Sequence, residues 1–269
     1  MKLSVSNLAF TPTAGGDEWE RLAAAGVSGV EVAPTRLGPW AELDAARLRA
    51  FRTELEGRGL RASSLQAIFF GVDGLALLGS VEAFHAMEAQ IARVARIAAE
   101  LGAEVAVFGA PRQRARGTLP PEDAFALGAE RLSRLAHLAG EEGLVIGLEP
   151  VPADYGNDFL PGWRDVLAMV QAVDHAGLRV HLDTSCVALG GDDIAEAVQA
   201  CAPWLAHYHA AEPKLGPFAA PAAPHAAAAA ALAAVGYPGW VAIEMLEQPA
   251  HPLAALLDAV RYVRGTYAC

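Results

Sequence analysis

Along this chain, short runs of β-branched and other apolar residues alternate with longer stretches whose apolar positions recur at helical spacing. The runs predict strands at Leu3–Ser6, Gly29–Val32, Arg61–Gln66, Val105–Phe108, Val145–Glu149, Arg179–Asp183, Leu205–His209 and Trp240–Glu244. The stretches predict helices at Asp17–Ala25, Ala41–Arg58, Val81–Leu101, Pro121–Glu142, Trp163–Asp174, Asp192–Ala202, His225–Val235 and Pro252–Arg264. Several helix-to-strand joints share one chemistry: in AAAGVSGVEV, ELGAEVAVF, EEGLVIGLE and DHAGLRVHLD a glycine stops the helix and a strand run follows. Strict βα alternation implies a parallel sheet with right-handed crossovers, and eight repeats is the number that closes a barrel. The competing architecture, an open doubly wound sheet, would carry a Gly-rich phosphate loop after an early strand, and none is present. The expected fold is α/β, a single (β/α)8 TIM-barrel domain over residues 1–269 without a linker or composition break.

Composition narrows the class further. Hydrophobic residues make up 54% of the 269 positions, enough for a large core. Twenty basic against thirty-one acidic residues give a net charge of -11, which argues against nucleic acid as partner. Three widely spaced cysteines (Cys186, Cys201, Cys269) form neither a disulfide framework nor a zinc pattern, which suits a reducing, cytoplasmic setting. The first residues, MKLSVSNLAF, are too short and polar for a signal peptide, and no apolar run suits a membrane helix.

In such a barrel the functional residues sit where the βα loops gather, at the C-terminal ends of the strands. The last four strands close with Glu149, Asp183, His209 and Glu244, while among the first four only Glu31 has a comparable position. Taken singly, each has an ordinary structural explanation: Asp183 before Thr184 suits a helix cap, and a lone strand histidine suits a hydrogen-bonded core. Together they would crowd three carboxylates at high electrostatic cost unless a cation joined them. The oxygen-rich donor set favours one divalent ion, Mn²⁺, Mg²⁺ or Co²⁺, with Zn²⁺ also compatible. An octahedral ion with four protein ligands keeps two positions open for vicinal oxygens of a sugar-like substrate.

The motifs SNLAF (6–10), GVEVAP (29–34), GLEP (147–150), HLDTS (181–185), HYHAAEP (207–213) and GYPGWVAIEM (236–245) make the chain resemble the xylose-isomerase-like TIM-barrel superfamily, in its sugar phosphate isomerase/epimerase branch. The resemblance implies that Glu149, Asp183, His209 and Glu244 bind the metal. It further implies that Glu149 and Glu244 act on opposite faces of the substrate carbon, one removing a proton and the other returning one through an enediolate. Two departures set this chain apart. Cys186 stands where such epimerases usually have a histidine, and Lys214 and Leu215 stand where they usually have an arginine past the strand-7 histidine.

Other loops supply substrate-binding candidates. Arg112 and Arg114, in FGAPRQRARG after strand 4, suit a phosphate or carboxylate, or else a solvated loop or subunit contact. Gln66, Tyr155, Cys186 and Lys214 are the remaining first choices, with Glu212 a candidate to orient a ligand from behind and His225 a helix-start residue. Phe69, Phe70 and Trp163 suit a pocket wall or plain packing. The expected protein is thus an isomerase or epimerase of a small sugar-like molecule, with homo-oligomerisation left open. The alternative on the same fold is a metal-dependent dehydratase of a cyclic polyol or sugar derivative. An endonuclease IV type of repair enzyme would need more histidines at strand ends, and a non-catalytic sugar-binding barrel would bind without proton exchange.

Overall fold

Each glycine-stopped helix feeds an apolar strand, and the repetition of this step closes a ring of eight parallel strands. The computed structural model describes residues 1–10 and 15–269. The strands are β1 (Lys2–Ser6), β2 (Gly29–Val32), β3 (Arg61–Leu65), β4 (Val105–Phe108), β5 (Val145–Leu148), β6 (Leu178–Asp183), β7 (Leu205–Ala211) and β8 (Trp240–Glu244). They follow one another in sequence order around the ring, and β8 closes on β1 from Lys2↔Trp240 to Val5↔Ile243. The fold is therefore the expected α/β barrel. Gln66 and Glu149 lie one residue beyond β3 and β5, so both head loops at the barrel mouth.

Outside the ring run α1 (Gly16–Ala24), α2 (Ala45–Glu56), α3 (Val81–Leu101), α4 (Pro121–Gly140), α5 (Trp163–Val173), α6 (Thr184–Leu189), α7 (Ile194–Cys201), α8 (His225–Ala234) and α9 (Pro252–Tyr267). α3 shows how the outer layer is built. Ser80 caps its start by accepting from the Ala83 amide, and Gly102 ends it in the left-handed region at φ 77°. Between these, Phe84, Met87, Ile91, Val94, Ala98 and Leu101 recur at three- and four-residue spacing and are buried against the sheet. Each large side chain on that stripe contributes about 1.5–3 kcal/mol of hydrophobic stabilisation. α6 is the element not expected from the sequence. It starts directly at Asp183, whose Oδ1 accepts the Cys186 amide at 2.7 Å.

The barrel interior matters most for function. Side chains along a strand alternate between its faces, so Leu3 and Val5 pack outward under the helices while Ser4 and Ser6 point into the ring. The direction is fixed by contacts across it: Glu31 of β2 meets His207 and His209 of β7, strands that are not neighbours. Ser4, Ser6, Glu31, Ser64, His181, His207 and His209 are all fully buried there. Barrel interiors are ordinarily filled by branched aliphatic residues, so this polar column is a departure. No helix among the described residues is long and apolar enough to cross a membrane.

Candidate metal and substrate site

The barrel's C-terminal mouth brings Glu149, Asp183, His209 and Glu244 together, with β7 running two residues past His209 to Ala211. His209, on β7, turns Nδ1 toward Glu244 Oε2 at 3.2 Å and Asp183 Oδ2 at 3.8 Å. One donor atom each from Glu149, Asp183 and His209 lie within 4.8 Å of one another, the spacing of a potential metal site. Glu149 reaches that point because Gly109 opposite it has no side chain; a methyl group there would collide with the Glu149 carboxylate. Asp183 serves two purposes with separate oxygens, Oδ1 capping α6 and Oδ2 facing His209.

The carboxylates of this group oppose one another's charge. Burial, reinforced by the charges of Asp183 and Glu244, raises Glu149 to about 8. Burial and Glu244 raise Asp183 to about 6. Burial would depress His209, but Glu31 and Glu244 outweigh it and hold the imidazole well above its usual value. Its Nδ1 is a buried atom with no hydrogen-bond partner. Three converging carboxylates with an orphaned imidazole nitrogen fit a hard divalent ion, and Glu149, Asp183, His209 and Glu244 are the residues that can hold it.

Beneath them lies a second layer. His181 and His207 precede Asp183 and His209 by two residues, hence share their inward faces, and with His209 they form another group of closely spaced nitrogens. His207 Nε2 is 2.9 Å and His209 Nε2 2.9–3.0 Å from the Glu31 carboxylate, which also accepts from Ser64 Oγ at 2.7 Å. Glu31 stays ionised: although burial opposes it, the charges and hydrogen bonds of His209 and His207 hold it well below the usual carboxylate range. His181 is neutral through burial, with Nε2 3.7 Å from Glu149 Oε1. None of this layer was singled out from sequence except Glu31, by position alone; the two-residue spacing HLD and HYH was the available signal.

Two cavities meet at Glu149 and Glu244. One, about 640 Å³, is lined by Leu8, Gln66, Phe69, Phe70, Arg112 and others, and the second, about 370 Å³, by Val151, Tyr155, Asp183, Ser185, Cys186 and Lys214. Both fall in the ~300–1,000 Å³ range of small-molecule sites. Glu149, Glu244, Ala110, Pro111 and Leu215 line both. The wall is strained: Ala67, Ala110, Lys214 and Leu215 all have positive φ, between 34° and 59°, a feature that clusters at functional sites.

The remaining candidates separate by location. Gln66 lines the larger cavity with its amide nitrogen on Ser6 Oγ. Arg112 lines the same cavity and is exposed. Arg114 lines neither; fully buried, it donates from Nη1 to the Glu149 carbonyl at 2.7 Å, and burial lowers it to about 10. The Tyr155 hydroxyl accepts the Lys214 amide at 2.9 Å, joining two loops around the smaller cavity. The Cys186 thiol is pushed well up by burial and by Asp183, Glu149 and Glu244, so it stands there as a neutral thiol 3.9 Å from Glu149 Oε1. Glu212 also lines neither cavity. It accepts from Ala222 N at 2.8 Å and pairs with His225 Nε2 at 2.8 Å, which ties the loop after β7 to the start of α8. Trp163 begins α5 and packs in the core.

Fold and site together define an α/β barrel with an acidic pocket at its mouth and a buried imidazole, that of His209, against Glu244. The chain belongs to the xylose isomerase-like TIM barrel family, which it matches over residues 19–265. Among solved structures it is similar to a D-psicose 3-epimerase crystallised with D-fructose (18% identity, TM-score 0.84, all of both chains covered). It is also similar to a 3-keto-D-glucoside 4-epimerase from E. coli (19%, TM-score 0.80, 98% of this chain and 99% of that one). A third is a probable 3-DHS dehydratase from Bacillus anthracis (15%, TM-score 0.76, 98% of each). No curated protein matches the sequence.

Proposed function

We propose that this protein is a metal-dependent isomerase or epimerase of a sugar or sugar derivative, working as one barrel unit. The observation that carries the reading is that Glu149 and Glu244 line both cavities, so a ligand spanning the two lobes passes between two carboxylates. The similarity of fold to a psicose 3-epimerase and a ketoglucoside 4-epimerase supports the same reading. A divalent ion held by Glu149, Asp183, His209 and Glu244 would supply Lewis-acid polarisation of a substrate carbonyl, with Mn²⁺, Mg²⁺ or Co²⁺ preferred and Zn²⁺ compatible. Glu149 and Glu244 take and return the proton of the carbon beside that carbonyl, through an enediolate. Gln66 and Arg112 in one lobe and Tyr155, Cys186 and Lys214 in the other orient the hydroxyls. Arg114 and Glu212 act from behind, on Glu149 and on the β7 loop.

The test is incubation of the Mn²⁺-loaded protein with a panel of ketoses and ketoglycosides in deuterated water. Deuterium at the carbon next to the carbonyl of an isomeric product supports the proposal; loss of water supports the dehydratase, whose fold is also represented among the similar structures. Glu149→Gln and Glu244→Gln should each abolish turnover. Full activity in both, or after thorough chelation, sinks the reading.

A further inference from the structure

A carboxylate buried at 0% exposure inside a barrel is costly unless its neighbours compensate. Glu31 is such a group, and its surroundings are arranged with one direction. Ser64 Oγ donates to Oε2 from β3 at 2.7 Å, and His207 Nε2 lies 2.9 Å from the same oxygen. These two contacts from different strands fix the carboxylate plane. His209 Nε2 then approaches both oxygens, at 2.9 Å from Oε1 and 3.0 Å from Oε2. An ionised carboxylate only accepts, so the nitrogen that faces it must carry a hydrogen. In a neutral imidazole the other nitrogen, Nδ1, is then the one with a free lone pair. Nδ1 of His209 is the atom that points at Glu244 and Asp183 and has no hydrogen-bond partner.

We propose that Glu31 is a positioning residue for His209: it takes the Nε2 hydrogen, fixes the ring plane, and thereby presents Nδ1 as the metal donor beside Glu149, Asp183 and Glu244. The proposal rests on the metal-centre reading above. It assigns the fully buried second layer a purpose, since Ser64 and His207 hold Glu31 as Glu31 holds His209. A metal-ligating histidine commonly donates its other N–H to a carboxylate, and losing that partner costs about ten- to a hundredfold in metal affinity.

The experiment compares metal-free wild type, Glu31→Gln and Glu31→Ala by Mn²⁺ titration calorimetry, and by ¹⁵N-histidine NMR of the Mg²⁺-loaded proteins. Glu31→Gln keeps the shape of the side chain, so thermal melts of the metal-free proteins identify any variant that fails to fold, and the NMR readout on Glu31→Gln stands without Glu31→Ala. The expected result is one Mn²⁺ per chain in wild type, about ten- to a hundredfold weaker binding in the variants, and a shift of the His209 Nε2–H signal as its carboxylate acceptor is lost. Variants that bind within twofold of wild type with unchanged His209 signals would overturn the role of Glu31 while leaving the metal centre intact. A second Mn²⁺ bound in wild type and lost in the variants would also overturn it, because Nε2 would then be a ligand. A wild type that takes up no Mn²⁺ would overturn the metal centre itself and this assignment with it.

Discussion

Metal uptake by this site should be a proton-releasing reaction, and Glu149 makes the release measurable. Its carboxyl titrates at about 8 in the metal-free protein, so at pH 7 it is roughly nine-tenths protonated. Asp183, at about 6, is by then about nine-tenths ionised. Burial would depress His209, but Glu31 and Glu244 hold it above its usual value, which favours its protonated form. A cation that takes the Glu149 carboxylate must therefore expel the Glu149 proton, together with whatever proton His209 Nδ1 carries. Glu149→Gln, which has no such proton to give, should expel about one fewer per ion than wild type.

Stripping the Glu149 proton at pH 7 costs metal binding about 1.4 kcal/mol, or tenfold in affinity, a penalty that fades above pH 8. Isothermal titration with Mn²⁺ in two buffers of different ionisation enthalpy gives the proton count directly from the difference in heat. At pH 9 the difference between wild type and Glu149→Gln should largely vanish as Glu149 ionises by itself. Equal counts for wild type and Glu149→Gln at pH 7 would refute the account of Glu149 as a protonated carboxyl waiting for a cation.

The same groups make the stability of the metal-free protein depend on pH. Glu149 and Asp183 titrate higher folded than unfolded, so the stability each contributes falls as pH rises through its folded value. The depressed imidazoles of His181 and His207 act in the opposite sense below about 6.5, and the depressed Glu31 does so on the acid side. Between about pH 6.5 and 8, where Glu149 and His209 both lose protons that the fold favours, melting temperatures in chelator should decline, less steeply in Glu149→Gln. Gly109→Ala should push the Glu149 carboxylate aside. It should weaken Mn²⁺ binding at least about tenfold while the metal-free melting temperature moves by only a few degrees, and unchanged affinity by calorimetry would contradict the close-approach argument.

Much of the barrel is readable from sequence because several strands carry their own boundary chemistry: a glycine stop precedes β2, β4, β5 and β6, an acidic residue closes β6 and β8, and another directly follows β5. α6 escapes that reading because six residues are too few to show a helical period, and its capping residue, Asp183, already reads as a strand end. The quartet is legible because four successive strands end alike. The layer beneath is not, because Glu31 and His207 stand 176 residues apart and meet only across the closed ring. Arg114 is hidden for a different reason. Three arginines in a polar loop look solvated, and nothing local says that one of them folds back onto the Glu149 carbonyl.

The departures at Cys186 and Lys214 both fall on the smaller cavity, whereas the carboxylates and His209 that would move protons and hold the ion show no such change. A neutral thiol is a weaker hydrogen-bond donor than an imidazole, so Cys186 would hold a hydroxyl less tightly than the histidine usual at that place in the resembled branch. The Lys214 amide is already committed to Tyr155, which leaves its ammonium as the flexible cation of that lobe. The larger cavity is walled by Leu8, Ile68, Phe69, Phe70 and Val72, with Gln66, Asp73 and Arg112 as its polar contacts. Under the proposed function, proton chemistry and substrate choice would then be separable in this barrel. Exchanging residues of the smaller lobe should change which sugar is accepted, while the pH dependence set by Glu149 should stay with the quartet.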